Sequence, residues 1–242
     1  MKFLLVFSVL LTLTLAEKLP SNFKRCSSTD MDCLKTAVSE AIPEFKDGIK
    51  DFGIPALDPL FIPKMTLGGG QKVVQLQQVY DNVTLTGLST SKVTSFNLDF
   101  KDERLIVYTT TEKLVISGHY IATGKILVLP VKGEGPFSII LDQAVGTLLV
   151  DFKTYSKKGK KYLRGVAASL IFDVSHATYN FKNLFKRNKS IEDSLGKVLN
   201  ENWKEIFEEL VPSYTDAYAQ ALLQIVNRFF SKVPLSEVFT DY

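Results

Sequence analysis

Two histidines are the side chains in this sequence best suited to acid–base chemistry. His119 and His176 both lie in segments where apolar and polar residues alternate, as they do in strands. A single strand histidine is more often structural or exposed than a general base, and neither has a nucleophile motif or phosphate-binding glycine loop beside it. We therefore predict no catalytic residue. A lipid-processing enzyme that uses His119 or His176 as its base is the alternative.

The two cysteines are spaced for a local disulfide. Cys26 and Cys33 are an even number of cysteines close together, as expected for a chain that folds in an oxidising compartment. A bridge would tie the N-terminal arm to the start of the following helix, whereas two buried free thiols are the alternative. Cysteines this few do not form a metal site, so we predict no metal and no cofactor.

The first residues have the pattern of a secretory signal. A basic residue precedes an apolar run that ends in small residues and is too short to span a bilayer comfortably. We predict a signal peptide over residues 1–16, one domain over residues 17–242 and a secreted, extracellular protein. A membrane anchor is the alternative. Sequons at Asn82 and Asn188 are candidate glycosylation sites.

The charges do not indicate a nucleic-acid partner. The formal net charge is +3, and acidic and basic residues are interspersed without forming a basic face. The densest lysine cluster, residues 157–161, lies between two strand-like runs and is more simply a hairpin turn than a contact for anionic membranes. A membrane-contacting lipid-transfer protein that docks through this turn is a further alternative.

An N-terminal helix and a proline-rich strap precede the strands. Apolar residues at helical spacing follow Asp30, which resembles an N-cap, and continue to Phe52. Pro43 within this pattern predicts a kink or a break into two shorter helices. The segment FGIPALDPLFIPKM, residues 52–65, has three prolines at every fourth position, so it cannot continue the helix. It predicts a stiff, extended, apolar strap.

From residue 65 to about residue 181 the apolar period changes to two. Glycine or charged breakers at residues 68–70, 101–102, 124, 133–135 and 157–161 divide this region into strand-like runs. The pattern predicts an antiparallel meander with one apolar face. The last third returns to helical spacing, with an interruption at Pro212 and an end at Pro234. The chain therefore reads as one α+β domain.

Several segments resemble the takeout and juvenile-hormone-binding proteins of insects. They are the paired N-terminal cysteines, the FGIPALDPLFIP strap, the GKIL run at residues 124–127 with GEGPF at 133–137, the LNENWKEIFEEL run at 199–210 and the terminal VPLSEVF from residue 233. These segments span the mature chain in the order that the family shows. The single cysteine pair is more similar to the takeout branch than to moth hormone carriers, so the ligand is not assigned to juvenile hormone.

The resemblance implies a TULIP-like fold, in which a strongly curved antiparallel sheet wraps around a long C-terminal helix and encloses an apolar tunnel. It implies a non-enzymatic carrier of a small hydrophobic ligand, such as a terpenoid, an isoprenoid or a fatty-acid-like molecule, and we expect a monomer. The residues predicted to line the tunnel are apolar positions of the first helix, the strap, the strands and the last helix: Val38, Ala41, Phe45, Phe52, Ile54, Leu57, Leu60, Phe96, Leu98, Phe100, Leu129, Phe137, Ile139, Leu141, Leu222, Ile225 and Phe229.

A polar group on such a ligand would need a partner inside the tunnel. The sequence offers Tyr80, Tyr120, Gln143 and the threonines at residues 109–111 as candidates, without favouring one of them. Apolar walls alone discriminate weakly between molecules of similar size.

Overall fold

The computed structural model describes residues 18–68, 72–184 and 189–242. The expected signal peptide at residues 1–16 and the candidate glycosylation site Asn188 lie outside the described residues. Asn82, the other candidate site, is exposed at a bulge in the second strand. Its side chain is therefore accessible to solvent, and its glycosylation stays a prediction.

One antiparallel sheet and a long C-terminal helix dominate the fold, which confirms the predicted α+β class. In chain order the elements are α1 (Met31–Glu44), β1 (Leu60–Leu67), β2 (Val74–Thr86), β3 (Lys92–Asp99), β4 (Arg104–Ile126), β5 (Leu129–Lys157), β6 (Lys160–Asp173), β7 (His176–Phe181), α2 (Lys189–Glu201), α3 (Trp203–Lys232) and α4 (Leu235–Val238). Single 3₁₀ turns occur at Lys50–Phe52 and Leu88–Thr90.

The two longest strands organise the sheet. β4 and β5 pair with each other along most of their length, from Arg104 opposite Asp151 to Ile126 opposite Leu129. Each also changes its other partner part-way: β4 pairs first with β3 and then with β2, and β5 pairs first with β7 and then with β6. Twist accumulates over strands this long, so the sheet curls around its apolar face.

Three of the predicted glycine breakers lie inside strands, so that part of the prediction was wrong. Gly124 belongs to β4, Gly133 and Gly135 belong to β5, and the turn between these strands is at residues 127–128. A Cβ on Gly133 would lie 2.5 Å from the carbonyl oxygen of Asn183, because residues 182–184 cross β5 at this point. These glycines therefore allow a close backbone approach. The lysine-rich segment at residues 157–161 does form the predicted hairpin turn.

Helix α1 is shorter than the sequence pattern predicts. The Asp30 carboxylate caps it by accepting a hydrogen bond of 3.0 Å from the backbone N–H of Cys33, and the helix ends just after Pro43. The predicted break is thus confirmed, although the second piece is only a 3₁₀ turn. The strap then bends between Leu57 and Leu60 and continues as β1. As an edge strand, β1 tolerates Pro63.

The last long helix runs through Pro212, where the sequence predicted an interruption. Pro212 is exposed on the outer side of α3, while the inner side packs against β6 and β7. That packing stabilises the helix by more than the one missing hydrogen bond costs. The chain instead separates α2 from α3 at Asn202 and, as predicted, ends α3 before Pro234.

The N-terminal arm is fixed in two ways. The predicted Cys26–Cys33 disulfide is confirmed, with 5.8 Å between the Cα atoms, and it joins the arm to the first turn of α1. The C-terminal residues also hold the arm, since the Thr240 N–H donates to the Cys26 carbonyl at 2.9 Å and the Asp241 carboxylate accepts hydrogen bonds from Ser27 and Ser28. The two chain ends are therefore clasped together.

Candidate functional site

An apolar cavity of about 390 Å³ lies between the curled sheet and helices α1 and α3. Strands β3, β4, β5 and β6 contribute inward-facing side chains, and Leu19 and Phe23 of the N-terminal arm complete the wall. This volume falls within the range of about 300–1,000 Å³ that is typical of ligand pockets. The cavity is the candidate functional site.

Simple periodicity explains how the sequence builds the wall. Leu105, Val107, Thr109 and Thr111 alternate along β4, so they all face the cavity. In α3, residues spaced three and four apart, among them Tyr218, Leu222, Ile225 and Phe229, lie on one side of the helix and also face it. Alternate residues of a strand and residues at helical spacing in α3 thus face the same cavity.

Eleven of the predicted lining residues lie along this cavity. They come from α1, the strap, β3, β5 and α3: Val38, Ala41, Phe45, Leu57, Leu60, Phe96, Ile139, Leu141, Leu222, Ile225 and Phe229. Their role in contacting a ligand stays a prediction.

The other six predicted residues lie off the cavity wall. Phe52 packs its ring against Phe229, with 5.7 Å between ring centroids, and Ile54 pairs with Ile49. Both are buried, and neither lines the cavity, which the strap reaches only at Leu57.

Leu98 and Phe100 belong to a second apolar cluster under the chain ends, in which Phe100 contacts Phe152 and Phe239. Leu129 and Phe137 lie on the first part of β5, beyond the end of the cavity. Alternation indicates which face of a strand is apolar but not where along a long curved strand the hollow region begins.

The apolar wall residues of β4, β6 and the first half of α3 were not among the predicted lining residues. Leu105 and Val107 of β4, Leu170 and Phe172 of β6, and several residues of α3 from Phe207 onward line the cavity. The alternating pattern of β4 was a usable signal, but it also fits a filled core.

The few polar groups on the wall are mostly paired. The hydroxyls of Ser91 and Thr111 are 2.6 Å apart, the Thr109 hydroxyl donates to the Gly146 carbonyl at 3.3 Å, and the Thr215 hydroxyl donates to the Pro212 carbonyl at 3.0 Å. Two of the predicted polar partners, Thr109 and Thr111, are therefore engaged within the protein.

The remaining predicted polar partners are also engaged or lie elsewhere. The Tyr120 hydroxyl donates to the Lys182 carbonyl at 2.7 Å, and the Tyr80 hydroxyl donates to Gln78 Oε1 at 2.6 Å. Gln143 is exposed, on the outside of the sheet. None of these three residues lies on the wall of the main cavity.

The buried tyrosines stay neutral. Burial raises the pKa of Tyr80, Tyr179, Tyr214 and Tyr218 above the ordinary tyrosine value. The interior near these hydroxyls therefore carries no negative charge at physiological pH.

Two carboxylates fix segments of the chain around the apolar interior, and the first of them, Asp58, acts beside the cavity. Asp58 accepts hydrogen bonds from the Gly87 N–H at 3.1 Å and from the Ser89 hydroxyl at 2.6 Å, which holds the strap against the 3₁₀ turn at Leu88–Thr90. Burial raises the pKa of Asp58, but the hydrogen bonds from Ser89 and Gly87 outweigh it, so the pKa lies below its ordinary value.

The Glu209 carboxylate of α3 holds the start of β2 in place in a similar way. Its carboxylate accepts hydrogen bonds of 2.7, 2.7 and 2.9 Å from the backbone N–H groups of Lys72, Val73 and Val74. Burial raises the pKa of Glu209, but these three bonds outweigh it and lower the pKa overall.

The two candidate acid–base histidines are not at the cavity. His119 and His176 are exposed and absent from its wall, and the His176 ring packs edge-on against Trp203. Over residues 18–68, 72–184 and 189–242, histidine, cysteine and acidic side chains form no cluster that could hold a metal ion. In the same part of the chain, no helix has the length and apolar character needed to cross a bilayer.

Comparison with known proteins places this geometry in a family. The family model described as "Haemolymph juvenile hormone binding protein (JHBP)" matches residues 3–240. The crystal structure of Epiphyas postvittana Takeout 1 is similar, with a TM-score of 0.82 and 28% sequence identity, and the match covers 89% of this chain and 98% of that one.

Two curated relatives are similar over most of their length. "Circadian clock-controlled protein daywake" of Drosophila melanogaster is 25% identical over 232 residues, which cover 93% of this chain and 89% of the relative. "Putative beta-carotene-binding protein" of Schistocerca gregaria is 25% identical over 222 residues, which cover 88% of this chain and 85% of the relative. The full-length similarity matches the curved sheet and long helix described above.

Proposed function

Since this chain belongs to the haemolymph juvenile hormone binding protein family, we propose that it is a secreted, non-enzymatic carrier of a small hydrophobic ligand. The ligand occupies the cavity between the curled sheet and α3 and is a terpenoid, an isoprenoid or a fatty-acid-like molecule. The observation that carries the proposal is a hollow of about 390 Å³ whose wall is made almost entirely of apolar side chains.

Burial of apolar surface is sufficient to hold such a ligand. About 15 carbons at ~0.8 kcal/mol each give a favourable free energy on the order of 10 kcal/mol, before the costs of association. After those costs, dissociation constants from micromolar to nanomolar are expected without any ion pair. The relative from Schistocerca gregaria is named for a carotenoid, which is itself an apolar isoprenoid.

The position of the histidines supports carriage over catalysis. A general base must lie within hydrogen-bonding reach of the substrate, and both His119 and His176 are exposed and away from the cavity wall. A His119→Ala and a His176→Ala variant should therefore bind and release a hydrophobic probe as the parent protein does.

The proposal is tested by filling the cavity. Ala144 lies on the wall and is buried, so Ala144→Phe inserts a ring into the space that the ligand needs. We expect this variant to bind an environment-sensitive naphthylamine probe at least about tenfold more weakly than the parent, because overlap with the ring costs more than one favourable contact. Fluorescence titration of the purified protein measures the affinity.

Ala167→Phe is the matched control, because Ala167 is exposed on β6 and a ring there extends into solvent. It should bind the probe as the parent does. Equal affinity for Ala144→Phe and the parent would contradict the proposal, as would the absence of any saturable probe binding to the parent.

A further inference from the structure

A cluster of polar side chains lies deep in the otherwise apolar interior. The Tyr214 hydroxyl donates to the Tyr80 hydroxyl at 2.7 Å, and the Tyr80 hydroxyl donates to Gln78 Oε1 at 2.6 Å. Tyr218, one turn further along α3 than Tyr214, is also buried. Gln78 and Tyr80 of β2 and Tyr214 and Tyr218 of α3 thus form a cluster of four polar side chains.

Two atoms of this cluster lack a hydrogen-bond partner. They are Gln78 Nε2 and the Tyr218 hydroxyl, and among the described side chains of residues 18–68, 72–184 and 194–242 no other enclosed nitrogen or oxygen is left unpaired in this way. Leaving such a group unpaired costs free energy, and native proteins leave few of them. Both atoms can donate a hydrogen bond: the amide nitrogen only donates, and the hydroxyl can donate as well as accept.

The unpaired groups border the two hollow regions of the molecule. Tyr218 lies on the wall of the main cavity. Gln78 lies on the wall of a smaller cavity of about 30 Å³, and Tyr179 and Tyr214 line both spaces. The smaller cavity is large enough for one polar group of the size of a water molecule.

We propose that Tyr218 and Gln78 form a polar subsite that binds a hydrogen-bond-accepting oxygen of the carried lipid. The inference rests on the proposed function and narrows its ligand to neutral lipids that have a carbonyl, ester or ether oxygen. The apolar part of the ligand fills the main cavity, and its oxygen reaches the junction of the two cavities. Because neighbouring side chains enclose the Tyr218 hydroxyl, they shift slightly when the oxygen binds.

The same cluster disfavours a charged ligand. Its members, Gln78, Tyr80, Tyr214 and Tyr218, and the neighbouring Tyr179 are all neutral, so a carboxylate placed among them would be desolvated without a cation to balance it. A pure hydrocarbon is also disfavoured, because it leaves both donors, Gln78 Nε2 and the Tyr218 hydroxyl, without a partner.

The test compares three ligands with the same number of carbons: hexadecane, methyl tetradecyl ketone and palmitate. Each displaces a naphthylamine probe from the full-length mature protein, and the competition gives its affinity. We expect the ketone to bind about tenfold more tightly than hexadecane, as one satisfied hydrogen bond predicts, and also more tightly than palmitate.

Tyr218→Phe removes only the unpaired hydroxyl. It should weaken ketone binding about five- to tenfold and change hexadecane binding by less than about twofold. Thr215→Val is the matched control, because the Thr215 hydroxyl also belongs to the cavity wall but already donates to the Pro212 carbonyl. The control should leave the ratio of ketone to hexadecane affinity unchanged. Gln78→Met provides a second variant if Tyr218→Phe fails to fold.

Several results would overturn the subsite. They are equal affinities of the parent for ketone and hexadecane, tightest binding of palmitate, or an unchanged ratio of ketone to hexadecane affinity in both Tyr218→Phe and Gln78→Met. A parent protein that binds neither the probe nor any of the three ligands would instead contradict the carrier function itself, so the two failures are distinguishable.

Discussion

The two ends of the apolar interior differ in how their space is filled. At the packed end, defined by Tyr80, Tyr120, Phe137 and Phe181, aromatic rings touch one another, with centroids 4.9 Å apart for Tyr120 and Phe181 and 5.4 Å apart for Phe137 and Phe181. Only about 30 Å³ is left beside them. At the cavity end, between α1, β3 to β6 and α3, about 390 Å³ stays open.

The difference shows that a side chain can point into the interior without filling it. Strands β4 and β5 pass through both ends and present alternate side chains to the interior throughout. Rings that touch one another across the interior close it at the packed end, whereas at the cavity end aliphatic and aromatic side chains line an open space without filling it. We infer that the packed end contributes more of the free energy of unfolding and that the cavity end provides the capacity for a ligand.

Removing a ring from the packed end should have the largest effect on stability. Phe137 is buried and contacts Tyr80 and Phe181, so Phe137→Ala should lower the free energy of unfolding by about 3–5 kcal/mol. Leu222→Ala, on the cavity wall, should cost about 2 kcal/mol, because one side of Leu222 already borders open space. Urea unfolding of both variants measures the difference, and an equal or larger loss for Leu222→Ala would refute it.

The disulfide should be the next largest contribution, and it acts at the cavity end. Replacing Cys26 and Cys33 by serine should lower the free energy of unfolding by about 2–3 kcal/mol, because the unfolded chain regains conformational freedom. The arm that the bridge fixes carries Phe23, which is part of the cavity wall. Probe affinity should therefore fall together with stability, whereas Phe137→Ala should lower stability with little change in affinity. Denaturation and fluorescence titration of the double variant test this, and an unchanged affinity would separate the arm from the binding site.

A methyl group added where residues 182–184 cross β5 should lower the stability of the packed end by an intermediate amount. A Cβ at position 133 would lie 2.5 Å from the Asn183 carbonyl oxygen and 2.7 Å from the Leu184 Cα, and both are backbone atoms. Gly133→Ala should therefore cost about 1–3 kcal/mol of stability through displacement of the crossing segment. Gly68→Ala is the control, since open space surrounds its Cβ position. Thermal unfolding that gives the same midpoint for both variants would argue against a tight crossing.

Acid should have the smallest effect and should act at both ends of the interior, through Asp58 beside the cavity and Glu209 at the start of β2. Asp58 and Glu209 both have a pKa below the ordinary value in the folded protein. A group of this kind stabilises the fold above its unfolded pKa, and the stabilisation disappears as the pH falls below about 4 through the folded pKa. The unfolding midpoint should therefore be lower at pH 3 than at pH 7, and Asp58→Asn should reduce that difference. A parallel pH profile for the variant and the parent would show that Asp58 does not contribute.

The sequence predicted the types of element well because they depend on local patterns. The period of two in β4 and β5, the cap at Asp30 and the helical spacing that leads to Phe229 are all local, and the structure has a strand or a helix at each place. The predicted strand boundaries at Gly124 and Gly133 were wrong, because the sequence does not distinguish a glycine that allows a close backbone approach from a glycine in a turn. Gly124 lies against Gln75 of β2, and Gly133 lies against the crossing segment at residues 182–184.

The site was only partly predictable for a related reason. Alternation identified Ile139 and Leu141 as inward-facing, and both line the cavity, but it equally selected Phe137, which fills the packed end. Whether an inward residue borders a hollow depends on the distance to α3, and that distance is set by the whole fold. The cluster of Gln78 and Tyr80 of β2 with Tyr214 and Tyr218 of α3 also arises only when β2 and α3 meet.

The clasp between the chain ends affects where an affinity tag can be attached. Thr240 and Asp241 hydrogen-bond to residues 26–28, and the neighbouring arm carries the wall residues Leu19 and Phe23, so an affinity tag added after Tyr242 would lie beside the contacts that hold this part of the wall. The hairpin tip at Gly159 is a better attachment point, because open solvent surrounds it and it is far from the cavity in the sheet. A tag inserted there would leave the hydrogen bonds between the two chain ends in place.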